Sequence, residues 1–223
     1  MTSALICVRR LQVLIQISII VIVLVCGRAA FCGEIHEAAK SGDQAKVEAL
    51  IKANPDLVFS RDTNGSTPLL CVAVSGHEDL AKFLLANKAD VNAKDKNGCT
   101  PLYLAVFMRD KVMAELLLAN KADVNSKNNE GKSPLAATAF TGDKATAELL
   151  LANKADVNST NNWGGTPLLW AAGEGYKDLV ELFLEHHADV NAKNYIGETP
   201  MQRAAFMRHM DVVELLRQHG GHE

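Results

Sequence analysis

The sequence lacks the short motifs that most enzyme classes need. It contains no G-x-S-x-G nucleophile turn, no phosphate-binding P-loop and no glycine-rich dinucleotide turn. No C-x-x-C pair, H-E-x-x-H motif or Cys/His cluster has the spacing of a metal site. A catalytic centre would need one of these groups, a nucleophile with a base, or a paired carboxylate cleft. We therefore expect a protein without enzymatic activity, cofactor or metal.

Cysteines and aromatic residues are also scarce. Five cysteines are too few for a disulfide scaffold, and three of them precede Gly33. The other two, Cys71 and Cys99, show no partner spacing that recurs, so we expect unpaired thiols. Aromatic residues make up only 5% of the chain, and the place of each one is therefore informative.

No strong excess of either charge is present. The formal net charge is −3, and the first acidic residue is Glu34. Without Arg9, Arg10 and Arg28, which precede it, 20 of the 23 basic side chains remain against 26 acidic ones. A mildly acidic protein is poorly suited to phosphate backbones, so we expect no nucleic acid as a partner.

The N-terminal segment, 1–32, differs in composition from all that follows. Arg9-Arg10 precede an apolar run, Leu11–Cys26, and small residues come after it. A charged start, a short apolar stretch and small residues are typical of a secretory signal peptide. Sixteen helical residues span about 24 Å, which is short of the ~30 Å hydrocarbon core of a membrane. This short length favours a cleaved signal peptide over a permanent membrane anchor.

Residues 1–32 are therefore predicted to be a signal peptide or, alternatively, an N-terminal membrane anchor. The alternative stays open because Arg28 and Phe31 make the cleavage site imperfect. In both cases the rest of the chain is expected outside the cytoplasm.

A tripeptide of the Thr-Pro-Leu type recurs at a constant step along the chain. It begins at Thr67, Thr100, Ser133, Thr166 and Thr199, with no drift in the spacing. A second signal keeps the same step, because residues 84–92 return unchanged at 117–125 and 150–158. A fixed period of this size indicates an array of one supersecondary unit, and hence a single elongated domain.

Each unit is predicted to fold as helix, turn, helix and hairpin. In the unit 161–193, Thr166 suits a helix N-cap, and Pro167 suits the first helical position. This short helix would end near Gly175, and a second would begin near Asp178. Both helices carry apolar residues at helical spacing. A glycine recurs in the turn that joins consecutive units, twice as Asn-Gly, which suits a tight reversal.

This pattern resembles the ankyrin repeat family, which has a T-P-L-H-x-A signature and the same 33-residue period. The resemblance implies an all-α solenoid of stacked helix-turn-helix units with protruding β-type hairpins. It places an ankyrin repeat domain at 33–223. Its parts are an N-terminal cap at 34–61, full repeats at 62–94, 95–127, 128–160 and 161–193, and a C-terminal cap repeat at 194–223.

Two departures from the family pattern bear on stability. The histidine after Thr-Pro-Leu is replaced at every occurrence, which puts a side-chain hydrogen-bond network between repeats in doubt. Glycines expected after helices are replaced by Lys88, Arg109, Lys121, Lys154, His187 and Arg208. If these residues have positive φ, each costs on the order of 1 kcal/mol. We therefore expect a moderately stable domain.

Stacks of this family bind through a concave face, made by the hairpin tips and the exposed side of the first helices. On this face the sequence places three Phe, two Met, one Trp and one Tyr on what is elsewhere a polar rim. The predicted partner-binding residues are Phe107, Met108, Phe140, Trp163, Trp170, Tyr195, Ile196, Phe206 and Met207. Local packing of each ring is the alternative, but Trp163, Tyr195 and Ile196 lie on adjacent tips with little core to cover. Trp and Tyr are enriched at interface hot spots.

The resemblance thus implies a non-catalytic protein–protein interaction scaffold. We expect a secreted or periplasmic monomer that binds another protein through the concave face and the hairpin tips. The alternative is a membrane-tethered adaptor that keeps its N-terminal helix, with membrane contact only through residues 1–32. Because the array accounts for the residues after the N-terminal segment, we expect no fused catalytic domain.

Overall fold

A computed structural model of the protein describes residues 33–222. The predicted signal peptide or anchor, 1–32, lies outside the described residues. The described chain is a series of short helices in antiparallel pairs, stacked in sequence order. No helix among the described residues has the length and apolarity needed to cross a membrane.

Each pair consists of a first helix, which begins at proline except in the N-terminal pair, and a second helix. The N-terminal pair is followed by a single 3₁₀ turn, Pro55–Phe59. The helices are α1 (33–41), α2 (Gln44–Ala53), α3 (Pro68–Ser75), α4 (Glu78–Ala86), α5 (Pro101–Phe107), α6 (Lys111–Ala119), α7 (Pro134–Thr141), α8 (Lys144–Ala152), α9 (Pro167–Glu174), α10 (Lys177–Glu185), α11 (Pro200–Phe206) and α12 (Met210–Gln218).

The recurring Thr-Pro-Leu tripeptide starts the first helices, as predicted. In α9, the Thr166 hydroxyl oxygen accepts a hydrogen bond from the N–H of Leu169, and Pro167 is the first helical residue. The same cap recurs in α3, α5, α7 and α11. Each capping side chain accepts a hydrogen bond from one backbone N–H that has no partner within the helix. The five caps are buried, so these residues belong to the scaffold and not to a binding surface.

The six non-glycine residues at expected glycine positions all have positive φ. The values lie between 61° at Arg109 and 68° at Lys121 and Lys154. Left-handed backbone brings Cβ close to a carbonyl oxygen, which is the strain expected from the sequence. The positive φ on which the expected strain depends is therefore present at all six positions.

One hydrophobic core runs along the described residues. The first helices of neighbouring repeats pack on one another, and each second helix packs on its own first helix. Buried alanines such as Ala105, Ala137 and Ala171 allow this close approach. Phe183 in α10 is the largest side chain that is fully buried. Since each repeat contacts only its neighbours, no unit could bury both of its helices alone.

The predicted hairpins are present as tight turns without strand pairing in residues 33–222. Neighbouring tips are nevertheless joined by backbone hydrogen bonds. Lys96 N donates to Asn64 O at 3.0 Å, and Tyr195 N donates to Trp163 O at 3.0 Å. In the intervening tips, the N–H groups of Asn129 and Asn162 make the equivalent bonds. These bonds hold the turn tips in a continuous row.

Side-chain hydrogen bonds also link the repeats, which corrects the doubt raised by the missing histidines. One set of these bonds comes from a column of asparagines in the loops. Asn125 Oδ1 accepts from the N–H of Asp156 at 2.8 Å, and its Nδ2 donates to Lys154 O at 3.3 Å. Asn158 and Asn191 bridge the following repeats in the same way. The network was missed because it lies outside the tripeptide that carries the family signature.

Removing one member of this column should destabilise the stack. We expect Asn125→Ala to lower the free energy of unfolding by about 1–2 kcal/mol, since two neutral hydrogen bonds contribute about 1 kcal/mol each. Urea unfolding followed by circular dichroism measures the change. Asn97→Ala, at an exposed turn tip where the side chain makes no such bridge to another described residue, should stay within about 0.5 kcal/mol. Equal effects of the two substitutions would contradict the bridging role.

Candidate functional site

Seven of the nine predicted binding residues are exposed. They range from Met207, at 45% exposure, to Ile196, at 85%. Trp163, Tyr195 and Ile196 lie on two adjacent turn tips, whereas the others lie at the ends of first helices. The exposed members are Phe107, Met108, Trp163, Tyr195, Ile196, Phe206 and Met207. Their role in binding stays a prediction.

The other two predicted residues, Phe140 and Trp170, are half-buried and contact each other. Their ring centres are 5.3 Å apart, and the planes are tilted by 36°. The Trp170 ring can pack against the backbone at residue 165 because that residue is glycine. A Cβ there would be only 2.8 Å from Trp170 Nε1. The pair therefore forms the floor of the surface. These two rings pack against each other, as the alternative of local packing predicts, although both stay partly exposed.

Two cations that sequence reasoning did not single out lie against this aromatic pair. The Lys132 ammonium is 4.6 Å from the centre of the Phe140 ring and 6.0 Å from that of Trp163. The Arg203 guanidinium is 5.4 Å from the centre of the Trp170 ring. Contacts of this kind are favourable, because the faces of aromatic rings are electronegative. A row of cation, ring, ring and cation thus crosses three repeats.

The repeat period of the sequence could have pointed to these two cations. Arg203 lies one repeat period after Trp170, and Lys132 lies one repeat period before Gly165. Arg203 thus occupies the position of the floor residue Trp170 in the next repeat, whereas Lys132 occupies the position of Gly165, which packs against Trp170, in the preceding repeat. Each cation also has a carboxylate nearby, since Lys132 is 2.7 Å from Glu130, and Arg203 is 3.5 Å from Glu198. The surface is therefore aromatic with balanced charge, rather than a basic groove.

A second aromatic contact supports Phe107 at the N-terminal side of the surface. Phe107 and Tyr103 lie one helical turn apart in α5, with nearly parallel rings whose centres are 6.4 Å apart. Tyr103 is buried, and burial raises the pKa of its hydroxyl to about 12. Tyr103 therefore remains neutral at physiological pH and positions Phe107, which is half-exposed.

The two cysteines of the described chain are free thiols, as predicted, and both are buried. Burial is the main reason that the pKa of each thiol rises to about 11. The thiolate is the nucleophilic form of cysteine, and it is almost absent at neutral pH when the pKa is so high. Cys71 and Cys99 therefore behave as small apolar core residues.

Comparison with known proteins agrees with the periodicity. The model of a family described as ankyrin repeats, in three copies, matches residues 35–128 and 134–223. Inversin from Gallus gallus is 36% identical over 64 residues, which cover 29% of this chain and 6% of that protein. The chain therefore matches only a small part of that relative.

Proposed function

Because the chain belongs to the ankyrin repeat family, we propose that it is a non-catalytic scaffold that binds another protein outside the cytoplasm. One observation carries the proposal. Large apolar side chains are exposed at the ends of first helices and on two adjacent turn tips, while the buried Thr-Pro-Leu positions build the stack. Members of this family are typically interaction modules rather than enzymes.

Trp163, Tyr195 and Ile196 are the centre of the proposed interface. Covering one such side chain contributes roughly 1.5–3 kcal/mol. The turns that carry them are fixed in advance, because Tyr195 N donates to Trp163 O and the Tyr195 ring lies against Gly164. A surface that is already ordered loses little conformational entropy on binding. These three residues can therefore supply most of the affinity.

Replacing the two tip aromatics should impair binding and leave the fold intact. We expect Trp163→Ala with Tyr195→Ala to weaken affinity capture of the partner from the native compartment by at least about tenfold. Quantitative mass spectrometry of the captured protein measures the loss, and circular dichroism checks the fold. Val112→Ala is the matched control, because Val112 is similarly exposed but lies on the second helix α6. Unchanged capture by the double variant would refute the proposed interface.

The extracytoplasmic location rests on the composition of residues 1–32. A charged start followed by a short apolar run supports export. If the signal is cleaved, the purified protein should have an intact mass that lacks this segment, and it should fractionate with secreted or periplasmic proteins. Retention of the segment in the membrane fraction would favour the tethered adaptor instead. A full-length protein in the cytoplasmic fraction would contradict both forms of the proposal.

A further inference from the structure

The two Asn-Gly pairs of the chain lie at neighbouring turn tips, and the proposed function makes no use of them. Asn64 precedes Gly65, and Asn97 precedes Gly98 one repeat later. Both asparagines are exposed. Asparagine is a thermolabile residue type, because the backbone nitrogen of the next residue can attack its side-chain carbonyl group. A following glycine has no Cβ to hinder that attack.

Hydrogen bonding separates these two asparagines from the others. The side chains of Asn64 and Asn97 make no hydrogen bond to another residue of 33–222, whereas every other asparagine in that range makes at least one. In Asn125 and Asn158, both Oδ1 and Nδ2 are bonded. The two asparagines that precede glycine are therefore also the two whose amide groups are free to rotate.

We propose that Asn64 and Asn97 convert spontaneously to aspartate and isoaspartate in the folded protein. The glycine nitrogen loses its proton and bonds to Cγ of the asparagine. The Cγ–Nδ2 bond breaks, and ammonia leaves with the proton. Water then opens the cyclic succinimide at either of its carbonyl groups. The net change exchanges ammonia for water, so the reaction needs no oxidant, reductant or enzyme.

The turn slows this reaction, because the attacking nitrogen is already hydrogen-bonded. Gly65 N donates to Asp62 O at 2.9 Å, and Gly98 N donates to Asp95 O at 3.0 Å. This bond must open before the nitrogen can reach Cγ. Exposed turns open locally at little cost in free energy. Conversion should therefore be slower in the folded protein than in the unfolded chain, yet still measurable.

The surroundings of the two glycines predict that Asn64 reacts first. Gly98 is buried, and Asn129 N is only 2.8 Å from the point where a Cβ of Gly98 would be. Gly65 is half-buried, and the atoms nearest to the equivalent point belong to Lys96 and are 3.2 Å away. The turn at Gly98 therefore has less room to open.

Isoaspartate at these positions breaks the row of turn tips. Its main chain runs through the former side chain, and the original backbone carbonyl becomes part of a free carboxylate. That carbonyl is the acceptor for the next tip, since Asn64 O accepts from Lys96 N and Asn97 O accepts from Asn129 N. The N-terminal repeats therefore lose bonds to one another as the protein ages. The tip that carries Trp163 has no Asn-Gly pair.

Ageing of the purified full chain tests the proposal. The protein is incubated in neutral buffer at body temperature, with and without urea. Peptide mapping by mass spectrometry measures conversion at each asparagine, and electron-transfer fragmentation separates isoaspartate from aspartate. In the folded protein, we expect Asn64 and Asn97 to convert at least tenfold faster than Asn125 and Asn158, which precede serine. Asn64 should convert faster than Asn97.

Ser126→Gly is the matched variant, because it places glycine after an asparagine whose side chain is held by two hydrogen bonds. We expect Asn125 in this variant to convert several-fold more slowly than Asn64 in the same molecule, and circular dichroism checks the fold. Equal rates would overturn the selection of sites by side-chain freedom. Conversion in urea alone would overturn the reaction in the folded protein. Conversion of all asparagines at similar rates would overturn the assignment of these two sites.

Discussion

Replacement of the six left-handed residues by glycine is expected to raise the free energy of unfolding by about 3–6 kcal/mol. Each of these residues has positive φ, which disfavours any side chain with a Cβ. Glycine removes that strain, although it adds disorder to the unfolded chain, so a net gain of about 0.5–1 kcal/mol remains at each position. The substituted positions are Lys88, Arg109, Lys121, Lys154, His187 and Arg208.

Urea unfolding of the six-fold variant measures this gain, and the six single variants test whether the gains add. Well-separated sites usually contribute independently. Glu148→Gly is the control, because Glu148 lies inside the helix α8 and is exposed. It should lower stability by about 1 kcal/mol. A six-fold variant no more stable than the parent would show that these helix ends store no strain.

Phe183→Ala is expected to lower the free energy of unfolding by about 3–5 kcal/mol. Phe183 is fully buried in α10, so truncation both loses apolar burial and leaves a cavity. Natural domains are stable by only about 5–15 kcal/mol. One substitution of this kind therefore removes a large share of the free energy of unfolding. The C-terminal repeats, which contain Phe183, should then unfold first.

Phe206→Ala is the matched control for this substitution, because it removes the same side chain from a position that is 77% exposed. We expect its free energy of unfolding to stay within about 0.5 kcal/mol of the parent value, as is usual for surface substitutions. Thermal and urea unfolding, followed by circular dichroism, compare the two variants. A large loss of stability in Phe206→Ala would mean that this ring serves the fold and not the proposed interface.

The architecture could be predicted from the sequence because repetition multiplies weak local signals. One Thr-Pro-Leu is a poor indicator, but five at a fixed step fix where the first helices begin. The strained helix ends could also be predicted, since a lysine at a glycine position must take the same backbone turn. Local rules were sufficient here, because each feature depends on residues near it in the chain.

The contact between Phe140 and Trp170, which forms the floor of the surface, could not be predicted in this way. Phe140 and Trp170 belong to different repeats, and whether they meet depends on the stacking distance and on the space above Gly165. The Asn125 column was missed for a similar reason, since its bonds join residues about one repeat apart. Such contacts need three-dimensional register between repeats, which residue types alone do not supply.

Repeating and non-repeating positions have different tasks in this protein. Thr166 and its counterparts recur because every repeat needs the same helix start. Trp163, Gly165 and Trp170 have no counterpart of the same kind one repeat away. A repeat array can therefore change its binding surface one position at a time, while the shared positions keep the stack folded.

The row of hydrogen-bonded turn tips has a mechanical consequence. Its backbone bonds, such as Asn129 N to Asn97 O at 2.9 Å, connect one repeat to the next along the stack. A pulling force applied at the two ends would load these links in series. The array should then extend elastically and unfold one repeat at a time, rather than unfold in a single event.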